Sequence, residues 1–365
     1  MGVSPSREPG CSTTVGRSPD LGPSHRLLPR RPERTSGGGG RLSVGVACYS
    51  SRIVPSGDRL ETPTHTDTRG EGPAPDQTRV AALPRPYDFD ASLRFVPFGL
   101  HDPSCRRGPG VLWRAARTLE GPVTLKLGES NGQVHADAWG PGAAWALHRL
   151  ESLLGLQDEP SGFTPAPGPL ATLARRGRGL HLVRSPWVFD ILCQFVLQQR
   201  VSFRDAARAH RHIVRATAEP APGPPGLLLP PAPHHWLRAS SEDVWRAGVD
   251  GQRAGRLRAA ARAAEIVDAA FDREPASARA ALGRIRGCGP WTVEMVMGFG
   301  LGDADAVPVG DLHLPSLVAR ALVGEDRADD ARMLALLEPY RGHRFRLIRL
   351  LLASGRIQLG RSVRG

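Results

Sequence analysis

The apolar residues of this 365-residue chain are unevenly spread. Residues 1–80 hold few large ones, and stretches such as RRPERTSGGGGR and TPTHTDTRGEGPAPDQTR show no periodicity. A segment of that kind buries too little surface to offset the entropy of ordering, so residues 1–80 are expected to form a disordered tail. Order is expected from about PYDFDASLRF (86–95) onward. Three short runs follow, GVLWRAAR (110–117), PVTLKL (122–127) and GQVHADAW (132–139). Each is rich in Val, Leu and Trp and bounded by Gly, Pro or Asn, which predicts an antiparallel meander.

From Ala143 the spacing becomes helical. WALHRLESLLGL carries Leu147, Leu150, Leu153 and Leu154 on one face, with Gly155 as the expected C-cap. A strongly apolar helix opens at SPWVFDILCQFVLQQRVSF, where Ser185 is the expected N-cap and Pro186 suits the first turn. Phe189, Leu192, Phe195 and Val196 form its buried stripe, which brings Gln199 toward the same side. A proline-rich loop, AEPAPGPPGLLLPPAP (218–233), leads to helices rich in alanine and arginine, and PYRGHRFRLIRLLLAS closes the series. The reading is an α+β protein: a tail (1–80), a small antiparallel-sheet domain (81–142), an all-α core (143–355) and a short C-terminal tail (356–365).

Composition narrows the function. The formal net charge is +12, which favours a polyanionic partner, nucleic acid first and an acidic membrane surface second. Lys126 is the sole lysine, so arginine carries almost all of the positive charge. Cys11, Cys48, Cys105, Cys193 and Cys288 form no C-x-x-C pair, which argues against a disulfide framework or a metal cluster and suits a reducing cytoplasm. No apolar run is long enough to span a bilayer, and the N-terminal residues lack a signal-peptide apolar region.

The segment LGRIRGCGPWTVEMV (282–296) interrupts two helical stretches with Gly287-Cys288-Gly289-Pro290. The glycines permit backbone angles that other residues resist, and Pro290 starts a helix where its missing N–H costs nothing. Such a turn leaves amides pointing outward at a helix N-terminus, a cradle for a phosphate oxygen. A cradle of this kind would hold a DNA backbone without reading sequence, while the same glycine turn also serves as plain architecture between helices. Beyond Trp291 and Thr292 come VEMVMGFG, the loop LGDADAVPVG, and Asp311 opening DLHLPSLVARALVG.

Taken in order, these blocks resemble the helix–hairpin–helix (HhH-GPD) base-excision DNA glycosylases, and within them the 3-methyladenine DNA glycosylase II type. PYDFDASLRF and VLWRAARTLEGPVTL match the small sheet domain, and SPWVFDILCQFVLQQRVS the start of the helical core. The hairpin (282–297), VPVGDLHL and EPYRGHRFRL follow, so the resemblance spans roughly residues 84 to 355.

The resemblance implies that Asp311 is catalytic. Breaking an N-glycosidic bond builds positive charge on the sugar, and a fixed carboxylate stabilises that charge where it develops. Trp291, with Met295 and Leu312, is expected to line the pocket for the extruded base, although Trp291 equally suits a core position. Relatives carry tyrosines near the aspartate where this chain has Met295 and Leu312. Gly287, Gly289 and Thr292 are expected to form the DNA-binding hairpin. In QQRVS (198–202), Gln199 is expected to pair with the opposite strand and Arg200 to occupy the gap left by the base, either stacked or on a phosphate; alternatively Gln198 and Gln199 simply end a helix on solvent. Arg341, Arg344 and Arg346 either touch phosphates or lie along an apolar face.

Relatives that also cut the strand use a lysine amine. Trp291 fills that position here, and Lys126 lies in the sheet domain, so the implied activity is monofunctional. The implied partner is duplex DNA with a damaged base, bound by a cytoplasmic, nucleoid-associated monomer that uses no metal catalyst. No cofactor is implied beyond a structural monovalent cation that the hairpin holds in some relatives. The twelve histidines show no ligand spacing, and His234-His235 reads as a solvated loop pair. The reading is excision of alkylated purines, 3-methyladenine and 7-methylguanine. Its rivals are an oxidised-purine glycosylase and a non-catalytic DNA-binding or regulatory protein that keeps the hairpin.

Overall fold

The computed structural model describes residues 72–165, 167–224 and 226–354. Residues 1–71 of the expected tail, and the C-terminal tail, lie outside them.

The sheet begins earlier than the composition suggested. β1 (Gln77–Ala82) takes up the last residues assigned to the tail and pairs antiparallel with β5 (Gln133–Trp139). β2 (Cys105–Gly108), β3 (Val111–Thr118) and β4 (Gly121–Ser130) complete a five-stranded antiparallel sheet of order β1-β5-β4-β3-β2. The three predicted runs are β3, β4 and β5, joined as the expected meander. β1 and β2 went unread because both are short edge strands, QTRVAA and CRRG, whose extended form depends on a partner.

Side chains alternate across the sheet. Leu112, Ala116, Val123, Leu125, Leu127, Ala136 and Ala138 fall on one face and share a core with the helical segments Ala143–His148 and Leu150–Leu153. The boundary drawn at 142 therefore divides elements that bury one another. Gly155, at φ +68°, ends this stretch as expected. The opposite face carries Trp113 stacked on Trp139 at 5.5 Å between ring centroids. The proline-rich loop covers that face rather than merely connecting elements. Thr124 Oγ1 donates to the Pro222 carbonyl at 2.6 Å, and Gly223 lies so close to Trp139 that a Cβ would sit 2.5 Å from the ring. Trp113 and Trp139 thus pack against the loop, not against the helices; Trp145 stays with the sheet–helix core.

One polar residue on the apolar face joins the sheet to the larger helical core. Arg114 on β3 is buried and donates to Asp190 at 2.8 Å, on the helix Val188–Gln198. That helix starts later than expected. Ser185 does not cap it; the Phe189 amide instead donates to the Asp268 carboxylate at 2.8 Å. Leu192, Phe195 and Val196 are buried in the helical core as predicted. Burial raises the Asp268 carboxyl to a pKa of about 7.

Candidate functional site

The hairpin consists of the helices Pro275–Gly283 and Pro290–Met295 around a six-residue turn. Gly287 has φ +92°, a left-handed conformation, and a Cβ there would meet Arg256 Cγ at 2.3 Å. Gly289 differs: at φ −75°, ψ 178° it is the extended N-cap of the second helix, exposed, with nothing within 4 Å of a notional Cβ. The open space there lets a ligand approach the backbone. In the first turn of the Pro290–Met295 helix Pro290 carries no N–H and the Val293 amide donates to the Gly289 carbonyl at 3.0 Å, which leaves the amides of Trp291 and Thr292 with no carbonyl of their own helix to bond.

The second helix runs on through Val296–Gly300 in π form, where Leu301 donates to Val296. Gly298 lets Phe345 approach so closely that a Cβ would lie 2.4 Å from its ring. The loop that follows is tied down by Arg279 between Glu294 and Asp303, and by the Gly310 amide donating to Asp330 at 2.9 Å. It delivers Asp311, which stands ahead of the next helix rather than in it; that helix is Leu314–Val323. Asp311 Oδ1 accepts from the amides of His313 and Leu314 at 2.8 and 2.9 Å. Its Oδ2 accepts from Trp291 Nε1 at 2.8 Å. Three donors leave one of a carboxylate's roughly four lone-pair positions, on Oδ2, for a water or a substrate atom.

Asp311 and the hairpin open onto one cleft of about 1060 Å³. Its lining includes Gly287, Gly289, Trp291, Gln199 and Arg200, with the apolar Met295, Phe299, Leu317, Ile348 and Leu352. Trp291 is half-buried, edge-on to Phe195 at 6.2 Å, so it serves both packing and the cleft wall. Met295 lines the cleft from the core, whereas Leu312 is 83% exposed and stands at the mouth.

Two expected DNA contacts are occupied elsewhere. Thr292 is buried, and its Oγ1 accepts from Gln199 Nε2 at 2.8 Å. Gln199 Nε2 also donates to the Gly287 carbonyl at 3.0 Å, while its Oε1 accepts from Arg256 Nη1 at 2.6 Å. With its amide so engaged, Gln199 is not available to pair with DNA. Arg200 fits its expected place better: it is exposed, lines the cleft and, among the described residues, makes no hydrogen bond or ion pair. Its φ of +60° is rare outside glycine.

The arginines of the closing segment are also committed. Arg344 grips Asp305, Arg346 forms a buried bidentate pair with Asp158 at 2.6 and 2.8 Å, and Arg341 pairs with Glu338. Arg256, Arg284 and Arg286 line the cleft instead, and none was singled out from sequence. Arg284 and Arg286 flank the hairpin turn in the sequence, which was the available signal; Arg256 had none.

His234 and His235 lie in the helix Pro233–Arg238, not in a loop, and with Glu219 bring three ligand-type atoms within 4.8 Å of one another. The donor set does not suit a metal. His235 Nδ1 accepts from the Ala232 amide at 3.0 Å, so the ring proton belongs on Nε2, facing Glu219 at 3.2 Å. Glu219 is in turn paired with Arg117. This is a helix cap and an ion pair.

No protein-family model matches the chain, and no curated protein matches it in sequence. Its structure does have likenesses. The 3-methyladenine DNA-glycosylase from Archaeoglobus fulgidus aligns with a TM-score of 0.61 at 20% identity, covering 76% of this chain and 98% of that one. MBOgg1 in complex with a low-affinity DNA ligand aligns at 0.60 and 13% identity, covering 78% and 98%. The 8-oxoguanine glycosylase/lyase of Clostridium acetobutylicum, in complex with dsDNA containing cytosine opposite 8-oxoG, aligns at 0.54 and 13%, covering 74% and 92%. At these identities the likeness is one of fold: the chain shares the α+β architecture of DNA glycosylases.

Proposed function

We propose that this chain is a monofunctional DNA glycosylase that hydrolyses the N-glycosidic bond of alkylated purines, 3-methyladenine and 7-methylguanine, in duplex DNA. The observation that carries the reading is the Asp311 carboxylate, steadied by the Trp291 indole at 2.8 Å in the cleft it shares with the hairpin turn. In this reading hairpin amides hold a phosphate, the damaged nucleotide swings into the cleft, and Asp311 stabilises the positive charge that grows on the sugar. The lone-pair position left on Oδ2 is suited to orienting the attacking water.

The cleft's chemistry favours alkylated over oxidised bases. Methylation makes the purine cationic and a better leaving group, and it is drawn to an aromatic face such as Trp291. Telling oxidised guanine from guanine needs a polar group that reads the altered edge. Much of the lining here is apolar: Met295, Phe299, Leu317, Ile348 and Leu352. A strand-cutting mechanism needs an amine, and the sole lysine, Lys126, lies over Trp113 in the sheet, 4.0 Å from Asp137.

The direct test is the spectrum of bases liberated from methylated genomic DNA, followed by duplexes each carrying one lesion. Release of 3-methyladenine and 7-methylguanine is the expected result. Release of oxidised guanine alone would overturn the substrate assignment, and no release of any base would overturn the enzyme.

A further inference from the structure

Resting on the DNA-binding part of that reading, we infer that Gln199 is a positioning residue that locks the turn presenting Arg200 to the hairpin, so that backbone grip and insertion act as one rigid unit. Gln199 ends the Val188–Gln198 helix at φ −59°, ψ 119°, Arg200 follows at φ +60°, and the Val201 amide closes onto the Gln198 carbonyl at 3.3 Å. These are the marks of a type II turn, whose third position favours glycine. An arginine there is held against its own backbone preference, so something nearby must hold the turn.

The Gln199 side chain does so. Its amide satisfies the Gly287 carbonyl and Thr292 Oγ1 on the hairpin, and its carbonyl oxygen takes the Arg256 guanidinium at 2.6 Å. Exchanging the amide's N and O would set N–H groups against a guanidinium and an oxygen against a carbonyl, so its orientation is dictated by its neighbours. Arg256 completes the clamp, because its stem packs where Gly287 lacks a Cβ. The residue that inserts and the loop that grips therefore meet through one half-buried amide. A glutamine that itself paired with DNA would have to break all three bonds.

The test reads insertion without base release: a duplex with an abasic-site analogue and 2-aminopurine as the opposing base, whose emission changes when a side chain enters the gap. Wild type should bind and change the emission, and Arg200→Gly should bind without changing it. Gln199→Glu keeps the size and the Arg256 contact but sets an acceptor against the Gly287 carbonyl. It and Gln199→Ala should slow insertion about tenfold, the equivalent of one hydrogen bond. The double variant Q199A/R200G should bind the duplex no more weakly than R200G alone, since Gln199 acts through Arg200. Additive losses would mean that Gln199 contacts DNA itself and would overturn the inference. So would wild-type behaviour of both Gln199 variants, or no emission change with wild type. Insertion without base release from methylated DNA would sink the glycosylase reading alone and leave this inference standing.

Discussion

Trp291 and Asp311, twenty residues apart, are joined by a 2.8 Å hydrogen bond from the indole Nε1 to the carboxylate Oδ2. Removing the charge tests the role proposed for this pair. Asp311→Asn should keep the amide contacts and DNA binding while base release falls by on the order of 100- to 1000-fold. Trp291→Phe keeps an aromatic face and deletes the donor, so kcat should fall about tenfold with KM little changed. Single-turnover release from a methylated duplex measures both. An Asp311→Asn variant as active as wild type would remove the carboxylate from the chemistry.

The two hairpin glycines should fail in different ways. Gly287→Ala places a Cβ against Arg256 Cγ at a backbone angle of φ +92°, so it should destabilise the fold by roughly 1–2 kcal/mol or more in urea unfolding. Gly289→Ala meets nothing within 4 Å and has an ordinary extended backbone. Its unfolding should stay close to wild type while affinity for duplex DNA drops, because the methyl stands where a phosphate approaches. Equal stability losses for both variants would contradict this division.

Legibility followed the range of the interactions. Glycine chemistry, helical spacing and the strands of the meander are local patterns, and they yielded the hairpin, the apolar helix and β3 to β5. Gln199 stands just past the end of an apolar helix, and its partners Arg256, Gly287 and Thr292 lie 57, 88 and 93 residues away. Nothing near a glutamine reveals such partners, so it read as a DNA or solvent contact. Arg346 is 3% exposed and answers Asp158 across 188 residues, while in sequence it looks like any cationic residue of an amphipathic helix. Only packing separates a buried pair from a phosphate contact.

Strand cleavage offers a third check. Lys126 Nζ lies 5.4 Å from the Trp113 ring on the sheet, and none of its partners lines the cleft. Incubation with a lesion-bearing duplex and borohydride should therefore trap no covalent adduct through a lysine, and Lys126→Met should release base at the wild-type rate. The abasic product should stay intact until treated with alkali. Trapping that disappears in Lys126→Met would refute the monofunctional assignment.

Stability should carry a signature of Asp268 between about pH 4 and pH 7. Burial raises this carboxyl from its ordinary value of 3.8 to about 7, against the Phe189 amide that favours the charged form and with Asp190 adding to the rise. In that window the folded chain binds a proton that the unfolded chain has lost, so this group's contribution is full below pH 3.8 and fades as pH rises through 7. Asp268→Asn keeps an oxygen for the Phe189 amide and cannot ionise. Its stability relative to wild type should therefore improve as pH is raised from 5 to 8, measured by urea unfolding at each pH. A difference between the two proteins that stays constant over that range would show that the Asp268 carboxyl titrates normally, and that the start of the Val188–Gln198 helix is capped by an ionised group throughout.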